Sequence, residues 1–129
     1  MNRDDAFLLA INVAKDVYNY NSRHGAVIID SNGEVISIGR NMKKWNPRNY
    51  IHGYPTPYDH AEANAIFKAL NNPTLIRRLN GSTLVVVRLG KTKLKNSYPC
   101  ENCIELSKLV GISIIYYSTE NGGIGALGL

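Results

Sequence analysis

The chain has 129 residues and a mass of 14.3 kDa, enough for one domain with a single core and too little for two. Hydrophobic residues make up 44% and charged residues 19%, which excludes a disordered chain, and the longest apolar runs, such as residues 84–87, are far too short to span a bilayer. Fifteen Lys and Arg against ten Asp and Glu leave a net charge of +5; that sign suits an anionic substrate, either a nucleotide phosphate or a nucleic-acid backbone, and suits ordinary solubility equally well.

Residues 1–5 are polar and acidic, without a charged-then-apolar leader, so the expectation is a cytoplasmic protein with no membrane contact. Residues 4–19 read as an amphipathic helix: Ala6, Phe7, Ala10, Val13, Ala14 and Val17 recur at spacings of three and four, and residues 2–5 offer capping groups. Residues 25–30 and 34–40 are two β-rich runs joined by Ser31-Asn32-Gly33, and Asn-Gly between such runs predicts a hairpin. Residues 42–59 lack periodicity, and Pro47, Pro55 and Pro57 interrupt any helix there. A loop of that length within a compact domain is usually functional or mobile.

Residues 61–70 read as a helix with Ala65, Ile66, Ala69 and Leu70 as its buried face, ended by Asn71-Asn72-Pro73, and residues 74–79 add at most a helical turn. The continuous apolar run at 82–88 suits a strand buried on both faces. Residues 90–98 are a basic loop, and residues 100–110 are helical by the spacing of Cys103, Leu106, Leu109 and Val110, with Gly111 as the cap. Residues 113–117 form another strand, and the glycine-rich residues 118–129 are expected to be a tail or a partner-contact segment. A strand–helix–strand pair places parallel strands side by side, so this order predicts an α/β fold with a mixed central sheet flanked by helices.

Only two cysteines occur, Cys100 and Cys103. A disulfide across that spacing would be a small strained loop, whereas redox sites and zinc sites both use it. His60-Ala61-Glu62 favours zinc: His60, Cys100 and Cys103 are three good ligands, which leaves the fourth position for water, and Glu62 is a carboxylate free to handle a proton. Residues at i and i+3 share a helical face, so both sulfurs can address one ion, and a helix N-terminus favours the thiolate. The plain alternative for Glu62 is a first-turn carboxylate complementing the helix dipole. The plain alternative for the cluster is a structural zinc module, although closed structural sites commonly use four ligands.

His60-Ala61-Glu62 followed by Pro99-Cys100-Glu101-Asn102-Cys103 resembles the His-x-Glu and Pro-Cys-x-x-Cys signature of zinc-dependent nucleobase deaminases. Together with the order of elements over residues 4–117, it marks a resemblance to the cytidine and deoxycytidylate deaminase superfamily. The resemblance implies a three-layer fold, a Zn2+ cofactor and hydrolytic deamination, with Glu62 moving protons between water, ring nitrogen and departing amine. Gly39-Arg40-Asn41 is similar to the family's Gly-x-Asn, which implies a sugar or base contact for Asn41, and the Ala61 backbone N–H is implied to meet the base carbonyl. The Asn64-Ala65-Ile66 continuation and the long preceding loop resemble deoxycytidylate deaminases, implying conversion of deoxycytidine monophosphate to deoxyuridine monophosphate. It also implies a homo-oligomer.

Lys43, Lys44 and Arg48 are candidates for a 5′-phosphate, and Trp45, Tyr54 or Tyr58 for stacking on the base; the same residues equally suit an exposed basic loop anchored by its aromatics. His24 and His52 are expected to be structural, having no ligand-spaced partner, and of Tyr116 and Tyr117 at most one faces the site. A second reading is deamination of a base in tRNA or single-stranded nucleic acid, with the positive charge supplying backbone affinity.

Overall fold

The computed structural model describes residues 1–17, 22–42 and 60–129. In chain order the elements are α1 (Arg3–Lys15), β1 (Arg23–Ile29), β2 (Val35–Arg40), α2 (Ala61–Leu70), a 3-10 turn (Ile76–Arg78), β3 (Thr83–Leu89), β4 (Leu94–Lys95), α3 (Glu101–Val110), β5 (Ile114–Ser118) and β6 (Ile124–Gly128). The strands form one sheet in the order β2-β1-β3-β5-β6, and the short β4 pairs with the far end of β3. β3 and β5 run parallel, from Thr83 opposite Ile114 to Val86 opposite Tyr117, with α3 as the crossover between them. The other pairs are antiparallel. This is the mixed sheet that the order of elements predicts, and no helix among the described residues is long and apolar enough to cross a membrane.

β3 explains the layering. Leu84, Val85, Val86 and Val87 are all fully buried, because alternate side chains enter different cores. Val85 and Val87 join Ala6, Phe7, Ala10 and Ala14 of α1 on one face. Leu84 and Val86 join Ile66 of α2 and Cys103 and Leu106 of α3 on the other. Two glycines let the helices approach. A Cβ on Gly25 would strike the Ala10 carbonyl of α1, and a Cβ on Gly39 would strike the Ala61 carbonyl and the Ala65 amide of α2. Gly39 therefore fixes how closely α2, which carries His60 and Glu62 at its start, sits on the sheet.

The β1–β2 turn is locked from below. Gly33 takes the left-handed conformation (φ 81°), and the Asp30 carboxylate accepts the backbone N–H groups of Asn32 and Glu34, each at 2.9 Å. Its other oxygen accepts Arg78 Nε at 2.9 Å and Nη2 at 2.6 Å, and Arg78 Nη2 also reaches Glu34 at 2.8 Å. The hairpin is thereby tied to the 3-10 turn, which begins two residues after Thr74.

Three boundaries depart from expectation. The first helix stops at Lys15 rather than reaching residue 19. The basic loop at 90–98 contains β4. The largest correction concerns 118–129, which is no tail: Ile124–Gly128 is an edge strand in register with β5. Its glycines concealed it. Gly122 makes the turn (φ 76°), and Gly125 carries no side chain because the Tyr117 ring lies against it, a case of an aromatic covering an edge glycine.

Candidate active site

His60 and Cys100 occupy the same local position: each is the N-cap of its helix, with φ −70° and ψ of 161° and 162°, and neither side chain makes a capping hydrogen bond. N-caps are ordinarily Ser, Thr, Asp or Asn, whose oxygen satisfies the first-turn amides. His and Cys give up that stabilisation, and both side chains turn toward a common point. Cys103, one turn into α3 and fully buried, completes the cluster. His60 Nδ1 lies 3.5 Å from Cys100 Sγ and 3.6 Å from Cys103 Sγ, and one donor atom from each residue lies within 4.8 Å of the others.

These separations fit zinc. Bonds of about 2.3 Å to sulfur and about 2.0–2.1 Å to nitrogen, at tetrahedral angles, put S and N about 3.6 Å apart. Cys100 is also in a suitable protonation state. Hydrogen bonding from Cys103 and its backbone N–H, together with His60, holds the Cys100 thiol down to about 5, which favours the thiolate that ligates metal. His60, Cys100 and Cys103 would hold Zn2+ with a fourth position left for water.

Glu62 stands in the first turn of α2 and is 5% exposed. Burial pushes its carboxyl above the usual carboxylate range, against the opposing pull of its own backbone N–H, His60 and Cys103. A carboxyl raised in this way beside a metal cluster suits proton transfer near neutral pH. A purely dipole-complementing Glu would gain nothing from burial.

A cavity of about 400 Å³ opens over these groups, lined by Ser22, His24, Asn41, Ser97 and Tyr98 besides His60, Ala61, Glu62 and Cys100. Asn41 is among them, as the Gly-x-Asn resemblance implies. Its Oδ1 accepts the His24 backbone N–H at 2.8 Å and its Nδ2 donates to the Ser22 carbonyl at 3.3 Å, so it braces the start of β1 while facing the cavity. Lys43, Lys44, Trp45, Arg48, His52, Tyr54 and Tyr58 lie outside the described residues.

Residue-by-residue reading missed four lining groups. Ser22 and Ser97 carry no motif signal. His24 was expected to be structural; it faces the cavity, and burial, Arg88 and His60 hold its pKa down to about 4, so it is neutral at pH 7. Tyr98, two positions before Cys100, had a signal in its place beside the motif. It is 53% exposed, and its ring meets Tyr117 edge to face at 5.1 Å and 82°. Tyr117 is on the α2/α3 side of the sheet and Tyr116 on the α1 side, and neither is among the residues that line the cavity.

The family model for the cytidine and deoxycytidylate deaminase zinc-binding region matches residues 1–119. Among solved structures, the chain is similar to a cytidine deaminase from Burkholderia pseudomallei, with 19% identity and a TM-score of 0.64 over 99% of this chain and 93% of that one. It is also similar to a point mutant of the cytidine deaminase from Mycobacterium tuberculosis, with 17% identity and a TM-score of 0.55 over 93% of this chain and 87% of that one. No protein of curated function matches the sequence.

Proposed function

The chain belongs to the cytidine and deoxycytidylate deaminase family, and from that premise we propose that it hydrolyses the exocyclic amine from cytosine in a free mononucleotide, converting deoxycytidine monophosphate to deoxyuridine monophosphate and ammonia. The observation that carries the reading is the buried Glu62 carboxyl beside a three-donor cluster at two helix N-termini, with Glu62, His60 and Cys100 lining one cavity. Zinc, when bound there, supplies the Lewis acidity that makes a water reactive near neutral pH.

The chain's residues do the rest. Glu62 accepts the proton of the attacking water and returns protons to the ring nitrogen and to the amine, which leaves as ammonia while the ring carbon becomes a carbonyl. The Ala61 N–H, unpartnered within its helix by its first-turn position, meets the base carbonyl. Asn41 meets the sugar or base. The cavity's 400 Å³ falls at the lower end of ordinary small-ligand sites, about 300–1,000 Å³, a size that suits a single nucleotide. Lys43 and Arg48 remain sequence candidates for the phosphate, and Trp45 and Tyr58 for the base.

The test is ammonia release from deoxycytidine monophosphate, deoxycytidine and cytidine by zinc-loaded protein, with Glu62→Gln alongside. The expected result is release by the wild type that falls about 10²–10⁴-fold in the variant, with zinc content unchanged. Failure on all three substrates by zinc-bound wild type would overturn the mononucleotide reading and turn attention to single-stranded nucleic acid, where binding should weaken steeply with salt.

A further inference from the structure

Across three strands, three basic side chains stand in one row, and one of them, His24, lines the cavity. His24 of β1 is in register with Arg88 of β3, and Arg88 is in register with Lys95 of β4. Residues directly opposite in antiparallel pairs share a face, and this one carries the cavity, since His24 lines it. Arg88 Nε donates to Ser22 Oγ, another lining group, at 2.7 Å. That bond fixes the plane of the guanidinium, and its two Nη atoms make no hydrogen bond among the described residues.

The row has no structural return. Like charges directly opposite on neighbouring strands are destabilising, and among the described residues neither Arg88 nor Lys95 has an ion pair. Folding would be served by a carboxylate here, as it is at Asp30. Arg88 is half-buried, so its unmatched charge is screened less than a surface lysine's. A partly desolvated guanidinium with its planar fork left open is suited to a phosphate.

We propose that Arg88, held by Ser22 and assisted by Lys95, is the anion subsite of this cavity and takes the terminal phosphate of a 5′-mononucleotide. The inference rests on the cytosine-site reading above and deepens it, placing phosphate selectivity on the described sheet rather than solely on the basic loop. His24, the member of the row that lines the cavity, adds a hydrogen-bonding group beside Arg88.

The experiment is calorimetric titration of zinc-loaded protein with deoxyuridine monophosphate and with deoxyuridine, on the wild type, Arg88→Gln, Arg88→Lys and Lys95→Gln. The wild type is expected to bind the monophosphate roughly ten- to a hundredfold more tightly than the nucleoside, the range of a charge-assisted contact. Arg88→Gln abolishes that preference, so that monophosphate and nucleoside bind alike; Arg88→Lys restores part of it, and Lys95→Gln lowers it less. Because Ser118 bonds the backbone N–H of residue 88 and not its side chain (3.1 Å), these variants keep the β3 edge, and zinc content and thermal unfolding check that they do. A preference that survives in Arg88→Gln, or one absent from the wild type, overturns the subsite while leaving the base site standing. Equal affinity for a dinucleotide with a 5′ phosphodiester would replace the terminal phosphate by a polymer backbone and also overturn it. If the wild type binds neither ligand, the cytosine-site reading itself fails and the subsite falls with it.

Discussion

Just past the C-terminal end of β1, Asp30 accepts two backbone N–H groups and the Nε and Nη2 of Arg78, and Glu34 closes the set. At the N-terminal end of the same strand, roughly 20 Å away by strand rise, His24, Arg88 and Lys95 line up with no carboxylate among them. Nearby Glu62 is buried with its carboxyl pushed above the usual range. One pole satisfies every charge it gathers and holds the hairpin to the body. The other leaves charge and proton affinity unbalanced around a cavity. Stability is concentrated where electrostatics close, and chemistry where they do not, which is the usual division between structural networks and sites.

The largest expected effect separates the poles by metal. Removing zinc by chelation, or changing Cys103 to Ser, should abolish deamination outright while the chain still unfolds cooperatively. The donor cluster sits at helix N-termini above a core built from Ile28, Ile66, Leu84, Val86 and Ile115, none of which needs a ligand to pack. Circular dichroism during chelation, read beside ammonia release, checks this. Loss of helix signal in step with zinc would mean that the metal is structural and that the site end of the fold, like the hairpin end, serves stability.

Asp30→Asn should do the converse, with a smaller effect. It keeps shape and removes the charge that Arg78 needs, so thermal unfolding should shift down by several degrees while activity well below the transition is unchanged. A fall in activity at low temperature would show that the hairpin pole reaches the cavity.

How much of this was legible from sequence follows the same division. The zinc donors and Glu62 were readable because their spacing is dictated by coordination and by helix geometry, both local. The hairpin was readable because Asn32-Gly33 demands its turn. β6 was not, since its glycines match a disordered composition and only the Tyr117 ring, brought over from β5, explains Gly125. The basic row was invisible for a related reason. His24, Arg88 and Lys95 are far apart in the chain and become neighbours only through strand register, which no single segment encodes.

The smallest effect tests the unbalanced pole by pH. His24 has an unperturbed pKa of 6.5 and is held down to about 4 in the folded protein, first by burial and then by Arg88 and His60. Below 6.5 the unfolded chain therefore binds a proton that the native state refuses. Its contribution to stability is complete above about 6.5 and is lost as pH falls toward 4, at no more than about 1.4 kcal/mol per pH unit for one proton. Asp30 acts in a different window: its pKa is lowered from 3.8 by the Glu34 backbone N–H and Arg78, so its contribution persists above 3.8 and is lost only below that. Between pH 7.5 and pH 5, urea denaturation should show the wild type losing more stability than His24→Gln, while the gap between wild type and Asp30→Asn stays constant. Protonation of the zinc donors is common to wild type and His24→Gln and cancels in their difference. Equal losses in those two proteins would mean that His24 is solvated and charged in the fold, and the row beside Arg88 would then carry three cations rather than two.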